Sequence, residues 1–75
     1  MSELSVLDSS GDTKLIWDRG NEVEVEAARE LFAKLKHRQY LAYRVTGLSG
    51  DKGEVLHKFD PDAERIIMAP PMVGG

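Results

Sequence analysis

Apolar and polar positions follow different periods in different parts of this chain, and the places where the period changes mark its elements. Thr13-Lys14-Leu15-Ile16-Trp17 is rich in β-formers, and alternation puts Leu15 and Trp17 on one face with Lys14 and Ile16 on the other, as in a strand. Upstream, Leu4, Val6 and Leu7 alternate only in part, so Glu3 to Asp8 reads either as a short edge strand or as a loose arm. Ser9-Ser10-Gly11-Asp12 between the two stretches carries turn chemistry. If Leu4 to Leu7 pairs with the strand that follows, the two form an N-terminal hairpin.

Asp18-Arg19-Gly20-Asn21 breaks the alternation, and a period of 3.6 takes over. Asn21 reads as a helix N-cap, with Glu22, Glu24 and Glu26 at the positive end of the helix dipole. Val25, Ala28, Leu31, Phe32 and Leu35 form the buried stripe, and Lys34, Lys36, His37 and Arg38 collect at the C-terminal end. The spacing predicts a helix over about residues 22–38.

From Tyr40 the period is two again, with Leu41, Tyr43 and Val45 pointing one way and Tyr40, Ala42 and Arg44 the other. Thr46 to Gly53 holds three glycines and reads as a mobile loop. Strand pattern returns at Glu54 to Phe59, turns at Asp60-Pro61-Asp62-Ala63-Glu64, and returns at Arg65 to Ala69. Pro70-Pro71 ends it, because neither proline donates a ladder hydrogen bond. The order is strand, strand, helix, strand, strand, strand, or the same without the first strand. An α+β domain over residues 1–69, with one helix packed on a mixed sheet, closes such a core, leaving residues 70–75 as a tail.

Composition narrows the functional classes. A chain of 75 residues holds one domain with a thin core, since a domain of this size buries only about 60% of its unfolded surface. A net charge of -3 provides no basic footprint for nucleic acid, and the absence of cysteine removes disulfides, thiolate metal sites and a cysteine nucleophile. There is no signal-peptide pattern and no apolar run long enough to span a membrane, so a cytoplasmic protein is expected.

Catalytic chemistry finds little footing. His37 and His57 stand alone, without ligand spacing or a partner nucleophile, and Glu22, Glu24 and Glu26 are accounted for as first-turn helix acids. Gly47, Gly50 and Gly53 lack the lysine and hydroxyl pair of a phosphate loop. Trp17, Tyr40, Tyr43 and Phe59 read mostly as core, and Arg19, Arg29, Arg38 and Arg44 as scattered surface charge. No enzyme activity, bound cofactor or metal is expected.

The tail is more specific. Pro70-Pro71 hold the chain extended, so Met72-Val73-Gly74-Gly75 are expected to project, and two residues without side chains suit a carboxylate threaded down a narrow channel. A short domain of this element order, running into a tail with Gly74-Gly75, resembles the ubiquitin-like β-grasp family. That family includes ubiquitin, prokaryotic ubiquitin-like modifiers and the sulfur carriers of thiamine and molybdopterin synthesis.

The resemblance implies a protein modifier. An adenylating activating enzyme would use ATP to convert the Gly75 carboxylate to an acyl-adenylate, and the glycine would pass to a cysteine of a conjugating enzyme and then to an amine of a target protein. A processing protease would expose Gly74-Gly75 where it is not already terminal. In the sulfur-carrier branch the adenylate becomes a thiocarboxylate instead. Ubiquitin's tail is basic before its glycines, whereas Pro70, Pro71, Met72 and Val73 are uncharged, so the activating enzyme would need an apolar groove. The sheet face and Arg44, His57 and Lys58 are the expected recognition surface, and Lys14, Lys34, Lys36, Lys52 and Lys58 are the candidate acceptors if chains form. The alternative class is an adaptor or phage-type structural module that docks through an open sheet edge or through Met72 and Val73, the glycines being incidental. Nucleic acid and membrane are not among the expected partners.

Overall fold

The structure, a computed structural model, describes residues 1–8, 11–45 and 53–71. Its elements are β1 (Ser2–Asp8), β2 (Gly11–Trp17), α1 (Glu22–His37), β3 (Leu41–Val45), β4 (Glu54–Leu56) and β5 (Arg65–Ala69). The five strands form one mixed sheet in the order β2-β1-β5-β3-β4. β1 and β5 run parallel at its centre, every other pairing is antiparallel, and α1 packs on one face. A helix laid across a sheet with this strand order is the β-grasp arrangement.

The first strand is neither an edge strand nor a loose arm. β1 lies inside the sheet, paired with β2 from Ser2↔Trp17 to Asp8↔Gly11 and with β5 from Glu3↔Arg65 to Val6↔Met68. Its incomplete alternation has a physical reason. Leu4 and Val6 enter the core beneath the helix, while Leu7 lies on the face opposite α1, where an apolar residue is tolerated without burial. The N-terminal hairpin therefore exists, and its Ser9-Ser10 link lies outside the described residues.

Register builds the core in rows. Val6, Met68, Ala42 and Leu56 stand side by side across β1, β5, β3 and β4, all buried. The neighbouring row runs Leu15, Leu4, Ile66, Arg44 and Glu54, apolar until it reaches β3 and charged beyond. On β3 it is Ala42 that enters the core, while Leu41 stays 44% exposed on the other face. A small residue suffices at Ala42 because Met68 and Leu56 flank it on the same row.

The helix closes this face as its spacing requires. Ala28, Phe32 and Leu35 are buried, with Val25 and Leu31 packed against them. Asn21 caps the start, its Oδ1 accepting from the backbone N–H of Val23 (3.1 Å) and Glu24 (3.2 Å). Glu24 reaches back to accept from the Asp18 N–H at 2.8 Å. At the other end the N–H of Tyr40 bonds the Leu35 carbonyl (3.0 Å) and that of Gln39 the Lys36 carbonyl (2.9 Å), a Schellman closure. Gln39 occupies the left-handed region, with φ of 68°, to make that closure.

The stretch expected as a strand over Glu54 to Phe59 stops at Leu56. His57 and Lys58 form a bend instead, and the bend carries Phe59 towards the core, where its ring lies 5.3 Å from Trp17 and 5.7 Å from Phe32. Trp17 is fully buried and donates from Nε1 to the Pro61 carbonyl at 3.2 Å. The segment between β4 and β5 thus plugs the open end between helix and sheet, with Ala63 buried behind it. Thr46 to Lys52, expected as a loop, lie outside the described residues. Gly53, just before β4, passes so close to β3 that a Cβ would collide with the Arg44 carbonyl.

Candidate functional site

Three surfaces bear on function: the exit of β5, the helix-free sheet face, and a cleft between the helix and the β4–β5 segment. At the first, the last ladder pair is Leu41↔Ala69, after which Pro70 and Pro71 are both exposed. Because β5 is a central strand, its last residue, Ala69, lies in the middle of the sheet. Met72, Val73, Gly74 and Gly75 lie outside the described residues.

The helix-free face carries the other half of each strand's alternation. A row of Lys14, Ser5, Ile67, Tyr43 and Val55 crosses all five strands, and Ile16 and Val55 are 53% and 47% exposed. Arg65 Nε and Glu3 Oε2 form an ion pair on this face at 3.3 Å, with Ser5 Oγ donating to the same carboxylate oxygen at 3.1 Å.

Arg44 does not share that face. It lies on the helix side of β3, where Nη1 donates to Asp60 Oδ2 at 3.0 Å and Nη2 to Glu54 Oε2 at 2.9 Å. The hydrogen bond to Asp60 and the charge of Glu54 raise the guanidinium's pKa above its ordinary value, so Arg44 is a permanent cation. Asp60 also opens the turn: its Oδ1 accepts from the Asp62 N–H at 3.0 Å and its carbonyl from the Ala63 N–H at 3.2 Å. Arg44 thus ties β3 and β4 to the turn that brings Phe59 and Ala63 into place. Its role here is that of a fastener.

His57 and Lys58 meet residues that sequence reasoning did not assemble. They line one wall of a cleft of about 590 Å³, and Arg29, Lys36 and His37 of the helix line the other. Phe32 and Phe59 also contribute to the lining, and the Arg29 guanidinium carbon stands 6.0 Å from the Phe59 ring centroid. No carboxylate is among the described lining residues, although Glu26 pairs with Arg29 at 3.1 Å from outside. Half of this grouping was legible. Arg29, Ala33, Lys36 and His37 recur at i, i+4, i+7 and i+8, a second stripe beside the apolar one. The other half comes from a bend that the alternation of Glu54 to Phe59 concealed.

No family model matches the chain, and no curated protein or solved structure shows significant similarity to it. The β-grasp assignment therefore rests on strand order and register alone. Among the described residues no group of three His, Cys, Asp or Glu side chains converges as a metal site would require, and no helix is long and apolar enough to cross a membrane.

Proposed function

We propose that this chain is a ubiquitin-like protein modifier that acts through the carboxylate of Gly75. The observation that carries the reading is the exit of β5: a central β-grasp strand ends at Ala69, and two exposed prolines lead directly into Met72-Val73-Gly74-Gly75. A segment leaving from a central strand, with prolines that cannot rejoin the ladder, suits delivery of a carboxylate to another protein's active site.

The chemistry belongs to the partners. The Gly75 carboxylate attacks the α-phosphorus of ATP bound to an adenylating enzyme, forming the acyl-adenylate and releasing pyrophosphate. A cysteine thiolate displaces AMP to give the thioester, and a target amine displaces the thiol to give the amide. Gly74 and Gly75 contribute the absence of side chains around the reacting carbon. Pro70, Pro71, Met72 and Val73 would be read by an apolar groove on the activating enzyme, and a processing protease would uncover Gly75 where residues follow it. The helix-free face with Ile16, Tyr43 and Val55 is the broad recognition surface, in a cytoplasmic setting of prokaryotic type.

Addition of one residue after a terminal Gly75 tests the reading. A modifier or sulfur carrier then loses ATP-dependent activation completely while retaining its fold. Pull-down of the same partners with undiminished yield, in the absence of any ATP-dependent adduct on the parent chain, contradicts the proposal and identifies a docking module.

A further inference from the structure

The cleft between α1 and the bend at His57-Lys58 has no part in the chemistry of Gly75. Its composition is unusual for an acidic chain: Arg29, Lys36, His37, His57 and Lys58 gather around an aromatic floor, in a protein of net charge -3. The neighbouring cleft provides the contrast. It shares Arg29, measures about 400 Å³, and sets Glu22, Glu26 and Asp62 against Arg19 and Arg29, so its charges offset one another internally. The larger cleft has no such internal compensation among its described lining residues.

We infer that this cleft is a docking site for an acidic, extended segment of a partner protein, with an aromatic residue of that segment seated against Phe59. Charge complementarity selects an anionic occupant, since Lys36 and Lys58 approach from opposite walls and no carboxylate among the described lining residues opposes them. The shape selects a peptide over a small molecule. Arg29, Ala33, His37, His57 and Lys58 all remain exposed, whereas small ligands sit in clefts that enclose most of their surface. The floor selects against a bare phosphate, because the half-buried Phe59 and the exposed Ala33 beside it offer apolar area that an inorganic anion leaves unused. The short reach of a single cleft, in a chain of net charge -3, disfavours a nucleic-acid backbone.

The test is a titration of the whole chain with a fluorescein-labelled peptide in which a run of Asp and Glu flanks a single phenylalanine. Anisotropy gives the affinity and amide chemical shifts locate the site. The expected result is saturable binding that weakens with salt, with shifts at residues 29–37 and 57–59. The double variant K36E/K58E should bind on the order of tenfold more weakly, K36Q/K58Q should lose less, and K14E/K34E, with the same net charge change away from the cleft, should bind nearly as the parent does. Trp17 emission checks that each variant is folded. Exchanging the peptide's phenylalanine for glycine should weaken binding several-fold.

Four outcomes overturn the inference: no binding at millimolar peptide; equal loss in the K14E/K34E control; displacement by inorganic phosphate or an oligonucleotide as readily as by unlabelled peptide; or a dimer of this chain that K36E/K58E dissolves, which would make a second copy the occupant.

Discussion

Gln39 is a residue whose backbone demands more than its side chain supplies. At φ of 68° it makes the Schellman closure that a glycine makes without steric cost, and a residue with a Cβ pays roughly 1 kcal/mol to sit there. Gln39→Gly should raise stability by about 0.5–1 kcal/mol, part of the steric gain being offset by greater freedom of the unfolded chain. Urea unfolding followed by Trp17 emission measures it. Ser2 is the complementary case. Its hydroxyl is fully buried beside Trp17 on the core face, with no hydrogen-bond partner among the described residues. Ser2→Ala removes an unsatisfied polar group and should be neutral or stabilising by up to about 1 kcal/mol, where a bonded hydroxyl would give a loss of similar size.

At the scale of elements, the segment from His57 to Glu64 decides how the core is closed. Phe59 is the ring that Trp17 and Phe32 share, and Arg44 with Asp60 holds the turn behind it. Phe59→Ala should cost about 2–3 kcal/mol, towards the low end for an aromatic deletion because the ring is only half-buried, and Trp17 emission should move to longer wavelength in the folded state. The same substitution removes part of the lining of the basic cleft, so it should weaken the acidic peptide as well. A loss of stability with unchanged Trp17 emission would place the ring elsewhere.

These elements differ in how far the chain announces them. The helix was readable throughout, because its cap, its apolar stripe and its terminal charges are all local. The place of β1 was not: its parallel pairing with β5 joins residues some sixty positions apart, from Glu3↔Arg65 to Val6↔Met68, and alternation alone carries no such information. Nor was the bend at His57-Lys58, since His57 and Phe59 continue a strand-like pattern that the aromatic cluster overrides. The basic cleft falls between these cases, with one wall on the helix and the other on that bend.

For the whole molecule, the proposed function assigns stability to the sheet and helix and chemistry to Gly75. Among the described residues the core ends at Met68, and the two prolines that follow Ala69 are exposed. Removing residues 72–75 should on this reading leave the free energy of unfolding within about 0.5 kcal/mol of the parent's, the size of an ordinary surface change, while abolishing any function of Gly75.

The most direct measurement is the intact mass of the purified chain, with Gly75 terminal, after incubation with ATP and an extract of its native cells, beside a variant lacking Gly75. Covalent adducts with other proteins that require both ATP and Gly75 are expected. A gain corresponding to sulfur in place of oxygen would assign the carrier branch instead. A chain whose mass is unchanged in an extract that supports ATP-dependent activation of added ubiquitin-like proteins, and that is indistinguishable from the variant lacking Gly75, would contradict the account.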